Sequence, residues 1–112
     1  MQQVFLNLIN NAAAAIKETG VLEIKTSLDA NQEKVLVMVR DSGHGIPKED
    51  MDKIFDPFFT TKMEGEGTGL GLFVSHGIIS KYEGSITCES STVDSSKKPR
   101  GTMFTVALKV KR

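Results

Sequence analysis

The sequence has 112 residues, of which 39% are hydrophobic and 25% are charged, as expected for one globular domain and not for a disordered chain. Lys plus Arg equals Asp plus Glu, and the resulting net charge of zero argues against a general electrostatic grip on nucleic acid, so we expect no nucleic-acid partner. The single cysteine, Cys88, excludes an internal disulfide and fits a reducing compartment.

The chain opens with a predicted helix over residues 3–17, and three asparagines lie within it. Its apolar residues recur at helical spacing on one broad face: Val4, Phe5, Leu8, Ile9, Ala12, Ala15 and Ile16. Asn7, Asn10 and Asn11 interrupt this alanine-rich segment, and Asn7 and Asn11 lie one helical turn apart. An amide oxygen is a suitable ligand for Mg²⁺. The spacing alone leaves a ligand-facing edge and a solvated face equally open.

Two strands are predicted next, over residues 21–28 and 34–40. The second strand is apolar on both faces, which predicts a central position in the sheet. Asp41 follows it, with Gly43 and Gly45 close behind. These residue types are typical of a turn. The same pattern would also let the carboxylate accept a hydrogen bond from a ligand amino group while a flat ring lies against the glycine backbone. Spacing alone favours the turn.

An aromatic segment, residues 54–62, follows a short helix predicted over residues 48–54. It holds three of the six phenylalanines, and aromatic residues this dense beside a proline normally anchor a core or a loop. Lys62 ends the segment and could contact a phosphate, although most single lysines are merely solvated. Residues 63–67 are polar and glycine-rich, which is typical of a mobile lid.

The glycine-rich stretch Gly67–Leu72 leads into a helix predicted over residues 70–82. Glycine lets a ligand approach the backbone, and a helix start offers unpaired N–H donors and the positive end of its dipole. Together these features favour phosphate binding, although a simple tight turn has the same motif. Further strands are predicted over residues 85–89 and 103–110, with a surface loop between them. This element order predicts an α+β sandwich in one domain.

Taken together, these motifs resemble the ATP-binding catalytic domain of sensor histidine kinases, in the superfamily of gyrase, heat-shock chaperone and mismatch-repair ATPases. Residues 7–12 are similar to the family's asparagine box, and residues 41–46 to its first glycine box. Residues 55–62 are similar to the phenylalanine box, residues 67–72 to the second glycine box and residues 101–104 to the final Gly-Thr element. Five elements in the right order cover essentially the whole chain.

The resemblance implies a Bergerat-type fold, a two-layer α+β sandwich whose mixed, mostly antiparallel sheet has helices on one face. The family's strand before the asparagine-box helix is missing, so we expect residues 1–112 to be a single ATP-binding catalytic domain excised from a larger kinase. We expect this domain to be cytoplasmic. The resemblance leaves open whether the full-length protein is membrane-anchored.

The resemblance also implies roles for individual residues, with ATP and Mg²⁺ as cofactors. Asn11 would ligate Mg²⁺, and Asn7, Asn11 and Lys62 would be the catalytic residues. The residues implied to bind nucleotide are Asn11, Asp41, Gly43, Gly45, Ile46, Phe55, Thr61, Lys62, Gly67, Thr68, Gly69, Leu70, Gly71, Leu72 and Thr102. The family often has Lys or Arg three residues after the Mg²⁺ ligand. The residue here is Ala14, which puts one phosphate contact in doubt.

Asn7 distinguishes a kinase from a hydrolase within this superfamily. The ATPases carry Glu at this position as the general base for water, whereas a neutral histidine already offers a lone pair as acceptor. The resemblance therefore predicts transfer of the γ-phosphoryl of ATP to a histidine on a separate dimerisation domain, with a response regulator receiver domain as a further partner. An ATP-hydrolysing member of the superfamily and a non-catalytic nucleotide-binding module are the alternatives. Neither His44 nor His76 is expected to be the acceptor, so the chain alone should not phosphorylate itself.

Overall fold

Two helices lie on one face of a four-stranded antiparallel sheet in the computed structural model, which describes residues 2–16, 20–29, 33–57, 71–92 and 100–109. The elements in chain order are α1 (Gln2–Ala15), β1 (Leu22–Leu28), β2 (Lys34–Asp41), a short 3₁₀ helix (Lys48–Lys53), α2 (Gly71–Lys81), β3 (Ser85–Ser91) and β4 (Gly101–Lys109). The predicted α+β class, with helices on one sheet face, is confirmed.

The strand order in the sheet is β1-β2-β4-β3, and each described pair is antiparallel. β2 is central, as its two apolar faces predict. β4 enters between β2 and β3, so that Asp41 lies opposite Thr102, and Thr102 lies opposite Ser90. This register sets three polar residues side by side across three strands.

The core lies between the helices and the sheet face that carries Val39, Phe104 and Val106. From α1 it receives Val4 and Leu8, which are one helical turn apart and fully buried. The other buried hydrophobic residues are Ala12, Ile54, Ile79 and Ile86. A fully buried side chain the size of valine, leucine or isoleucine stabilises the fold by about 1.5–3 kcal/mol relative to an exposed one.

The outer strand β1 is less covered than the rest of this face. Leu22, Ile24 and Leu28 lie on the same side of the sheet as Val39, yet they are 41–55% exposed. The alternation of residue types along β1 therefore fixes which face they share, while the position of α1 over β2 decides how much of each is buried. Neither α-helix in the described part of the chain has the length and apolar composition of a transmembrane span.

The strand ends differ from the sequence prediction. Asp41, Ser90 and Thr102 all belong to strands, although the predicted strands end or begin one or more residues away. Asp41 and Ser90 are of residue types common in turns, and Thr102 follows a glycine. Their backbones nevertheless continue the β2–β4 and β3–β4 ladders, because the pairing partner supplies the hydrogen bonds.

Candidate functional site

A row of three polar residues ends the apolar part of the sheet face that β2, β4 and β3 turn toward the helices. Asp41 on β2, Thr102 on β4 and Ser90 on β3 are neighbours across the strands, and we call them the polar row. Asp41 and Thr102 are only 4% and 6% exposed. The next row toward the core is Val39, Phe104 and Cys88, so the change from apolar to polar occurs within one step along the strands.

Asp41 is a buried carboxylate with a defined orientation. Its Oδ1 accepts a hydrogen bond of 2.9 Å from the Gly43 backbone amide. Removal from water raises the pKa of this carboxyl group, and the Gly43 amide, His44, the Thr102 backbone amide and Arg40 oppose the rise. An ionised carboxylate accepts several hydrogen bonds and donates none. A ligand that presents an amino group here would add a donor to a group that burial has deprived of water.

The loop that follows Asp41 is fastened to the end of β3. The amide of Ile46 donates a 2.7 Å hydrogen bond to Ser90 Oγ, and Ile46 also packs against the core. Gly45 has φ of 78°, and a Cβ at this position would overlap the backbone carbonyl of Ser91. Close contact with β3 therefore requires glycine at position 45, independently of the predicted approach of a ligand ring.

The backbone conformation also requires glycine at position 101, and Gly101 was not among the predicted site residues. Its φ is 139°, and an added Cβ would overlap the carbonyl oxygen of Asp41. Because β4 comes this close to the end of β2, Thr102 is held directly beside Asp41. The Gly-Thr pair in the sequence is the signal that could have identified it.

Asn7 joins α1 to the beginning of α2. Its Nδ2 donates hydrogen bonds to the Gly71 carbonyl at 3.3 Å and to Ser75 Oγ at 3.2 Å. The asparagine edge of α1 therefore lies beside the first turn of α2, where helical N–H groups lack intrahelical partners. Asn11 is half-buried one turn further along α1, whereas Asn10 is exposed.

Phe55 and Leu72 support this arrangement from the core side. The Phe55 ring meets Phe104 edge-on, with centroids 6.4 Å apart, and lies 5.3 Å from the His76 ring in a tilted contact. Leu72, in the first turn of α2, also packs against the core. These contacts connect α2 to β4 through Phe55, between the two ends of the candidate site.

The structure places the described site predictions in two groups, apart from Phe55, whose ring packs against His76 and Phe104. Asp41, Gly43, Gly45, Ile46 and Thr102 lie at the sheet end, while Asn7, Asn11, Gly71 and Leu72 lie where α1 meets α2. Six predicted residues lie outside the described residues: Thr61, Lys62, Gly67, Thr68, Gly69 and Leu70. Among the residues that the structure describes, no group of three or more His, Cys, Asp or Glu side chains could hold a metal ion.

Two serines that lie at the candidate site were not identified from the sequence. Ser75 is fully buried, and Ser90 makes three hydrogen bonds within and beside the polar row. Helical spacing would have placed Ser75 on the same face as Ile79, and strand alternation would have placed Ser90 on the same face as Ile86. A polar residue on a core face requires a partner, and this requirement was the available signal.

Comparisons with known proteins agree with this geometry. The family model described as histidine kinase-, DNA gyrase B- and HSP90-like ATPase matches residues 1–112. The sensor histidine kinase ZraS of Escherichia coli (strain K12) is 41% identical over 110 residues, covering 98% of this chain and 22% of that protein. The sensor kinase CckA of Brucella abortus (strain 2308) is 38% identical over 120 residues, covering 96% of this chain and 12% of that protein.

Solved structures give the same result. The catalytic domain of the histidine kinase ThkA, in a nucleotide-free form, is 38% identical with a TM-score of 0.78, covering 96% of this chain and 65% of that one. The mycobacterial sensor histidine kinase MprB, at 24% identity, shares the fold, with a TM-score of 0.81 and coverage of 96% and 70%. The chain spans about an eighth to a fifth of the two curated relatives. It belongs to the histidine kinase-, DNA gyrase B- and HSP90-like ATPase family, as an ATP-binding catalytic domain of the sensor histidine kinase type.

Proposed function

We propose that this domain binds ATP with Mg²⁺ and transfers the γ-phosphoryl group to a histidine on the dimerisation domain of the same kinase. A response regulator receiver domain would then take the phosphoryl group. The observation that carries the proposal is the buried carboxylate of Asp41 at the sheet end, beside Thr102 and held by the Gly43 amide. We further propose that residues 1–112 form one catalytic domain of a longer protein.

The base of the nucleotide would bind at the polar row. The Asp41 carboxylate would accept a hydrogen bond from the adenine amino group, and Thr102 would contact the same edge of the ring. Gly43 keeps the carboxylate in one orientation through its 2.9 Å hydrogen bond, which reduces the ordering needed on binding. The half-buried Ile46 would offer an apolar surface to the ring.

The phosphates would lie at the junction of α1 and α2. The first turn of α2 presents backbone N–H donors and the positive end of the helix dipole. The side-chain oxygen of Asn11 fits a Mg²⁺ ion that otherwise keeps water and phosphate ligands. The ion, when bound, would neutralise phosphate charge during transfer. Contacts from Thr61, Lys62 and Gly67–Leu70 are proposed from the family resemblance.

Transfer to an imidazole, and not hydrolysis, fits the environment of Asn7. Both protons of its amide group are directed at acceptors on α2, and an amide has no basic lone pair with which to deprotonate water. A neutral histidine needs no such base. The chain's residues would then bind and align the nucleotide and balance its charge while the acceptor attacks.

Calorimetric titration with ATP, with and without Mg²⁺, tests the nucleotide site. Asp41→Asn should weaken binding about tenfold or more, since it replaces a charged acceptor of a hydrogen bond. Asn11→Ala should lower affinity only when Mg²⁺ is present, and Asn10→Ala, at an exposed position on the same helix, is the matched control. Equal affinity in all four proteins would refute the site.

Transfer is tested by adding the dimerisation domain of the same kinase to the wild-type chain with γ-labelled ATP. We expect acid-labile label on the added domain, and little when the chain carries Asn11→Ala. Release of inorganic phosphate at the same rate with and without the added domain would instead favour the hydrolase.

A further inference from the structure

Ser90 is the centre of the hydrogen bonds in the polar row. Its Oγ accepts a bond of 2.7 Å from the Ile46 amide and donates one of 2.9 Å to the Gly101 carbonyl. The same oxygen lies 2.9 Å from Thr102 Oγ1. One hydroxyl thus joins the loop after β2, the end of β3 and the start of β4.

The direction of the Ser90–Thr102 hydrogen bond follows from counting protons. A serine hydroxyl has one proton to donate and two lone pairs. The Gly101 carbonyl can only accept, so it takes the proton of Ser90, and the Ile46 amide occupies one lone pair. The second lone pair faces Thr102, whose hydroxyl must therefore donate. With its proton committed to Ser90, Thr102 Oγ1 can only accept a hydrogen bond from any further partner.

We propose that Ser90 is a positioning residue that sets the selectivity of the site for 6-aminopurine over 6-oxopurine nucleotides. By receiving the proton of Thr102, it leaves a second acceptor beside the acceptor-only carboxylate of Asp41. The amino group of adenine donates to such a pair, whereas the 6-oxo group of hypoxanthine or guanine would face acceptors alone. This inference rests on the proposed function, because it concerns how the same nucleotide site chooses its base.

The test measures the dissociation constants of ATP and ITP, which differ at the purine 6-position. In Ser90→Ala the Thr102 hydroxyl can turn and donate, so the preference for ATP over ITP should fall about three- to tenfold, the effect of one hydrogen bond. Ser90→Thr keeps a hydroxyl and should preserve the preference. Ser85→Ala changes an exposed serine at the other end of β3 and should leave the preference unchanged.

A double-mutant cycle separates positioning from mere support of the loop. If Ser90 acts through Thr102, then Ser90→Ala should change the ATP-to-ITP ratio by less than about twofold once Thr102 is valine. If Ser90 only supported the loop, Ser90→Ala would weaken the binding of ATP and ITP equally. An unchanged ratio of their dissociation constants would therefore overturn the inference. Should Ser90→Ala not fold, Thr102→Val alone decides, since an unchanged ratio in that variant also overturns it. A wild-type chain that binds no ATP would contradict the proposed function instead.

Discussion

At the scale of single residues, Asp41 connects folding stability to pH. Burial raises the pKa of this carboxyl group in the folded state, so the folded protein holds the proton to a higher pH than the unfolded chain does. The contribution of Asp41 to stability is therefore greatest below about pH 4, where the unfolded carboxyl is protonated, and is lost as the pH rises through the folded pKa.

Asp41→Asn removes this titration. We expect the stability of the wild type, relative to Asp41→Asn, to decline as the pH rises from about 4 toward neutrality. Urea denaturation of both proteins at stepped pH measures the difference. Asp52→Asn, at an exposed carboxylate, controls for the loss of one negative charge. A difference that stays flat or grows in favour of the wild type with rising pH would contradict the interpretation.

Gly101 gives a second prediction at this scale. Gly101→Ala should destabilise the fold by about 2 kcal/mol or more, because a φ of 139° strains an alanine and the Cβ would overlap the Asp41 carbonyl. Gly77→Ala is the matched control, since nothing lies within 4 Å of an added Cβ in the exposed interior of α2. It should stabilise the protein by about 0.5–1 kcal/mol. Denaturant midpoints that shift in the same direction for both would show that the close approach is unimportant.

At the scale of elements, the side-chain amide of Asn7 adds hydrogen bonds to the packing of α1 against α2. Asn7→Ala should destabilise the protein by about 1–2 kcal/mol, because it removes two hydrogen bonds and leaves the buried Ser75 without this donor. Asn10→Ala, on the exposed side of the same helix, should be neutral or slightly stabilising. Urea denaturation compares the two variants, and equal effects would argue against a structural tie through Asn7.

Sequence patterns predicted these elements well in their interiors and poorly at their ends. Apolar residues four apart identified α1, because a helical face must be buried to hold the helix. Asp41 and Thr102 were assigned outside strands, because Asp41 precedes Ser42 and Gly43 and Thr102 follows Gly101, and such residues favour turns. What extends the strands is pairing between β2 and β4, which are about sixty residues apart in sequence, and no local pattern reports such a contact.

At the scale of the whole molecule, the two-layer architecture could be predicted and the strand order could not. Each helix and strand has an apolar face that must be buried, and this succession of elements allows few stable layer arrangements. The order β1-β2-β4-β3 places β4 beside β2, and this insertion depends on long-range packing. The motif resemblance predicts Asp41 and Thr102 as site residues. The partners of Ser75 and Ser90 depend instead on helix packing and on strand register, which bring together residues far apart in the sequence.

The placement of the chain's two histidines leads to a prediction for the isolated domain. His44 Nδ1 lies 2.7 Å from the Gly45 carbonyl in the loop beside the polar row, the proposed adenine end of the site. The ring of His76 packs against Phe55 from within α2. Neither lies in the first turn of α2, where the phosphates are proposed to bind, so the γ-phosphoryl should find no acceptor within the domain.

We therefore expect γ-labelled ATP and Mg²⁺ to leave no acid-labile, base-stable label on the isolated chain, although ATP binds. The same mixture should raise the midpoint of thermal unfolding, because a ligand that binds only the folded state stabilises it by mass action. In Asp41→Asn most of this rise in the unfolding midpoint should be absent. That difference would show that the wild type, although unlabelled, had nucleotide in the site. Label that appears on the wild type and disappears in His44→Gln or His76→Gln would place the acceptor in this domain and overturn the assignment to a separate one.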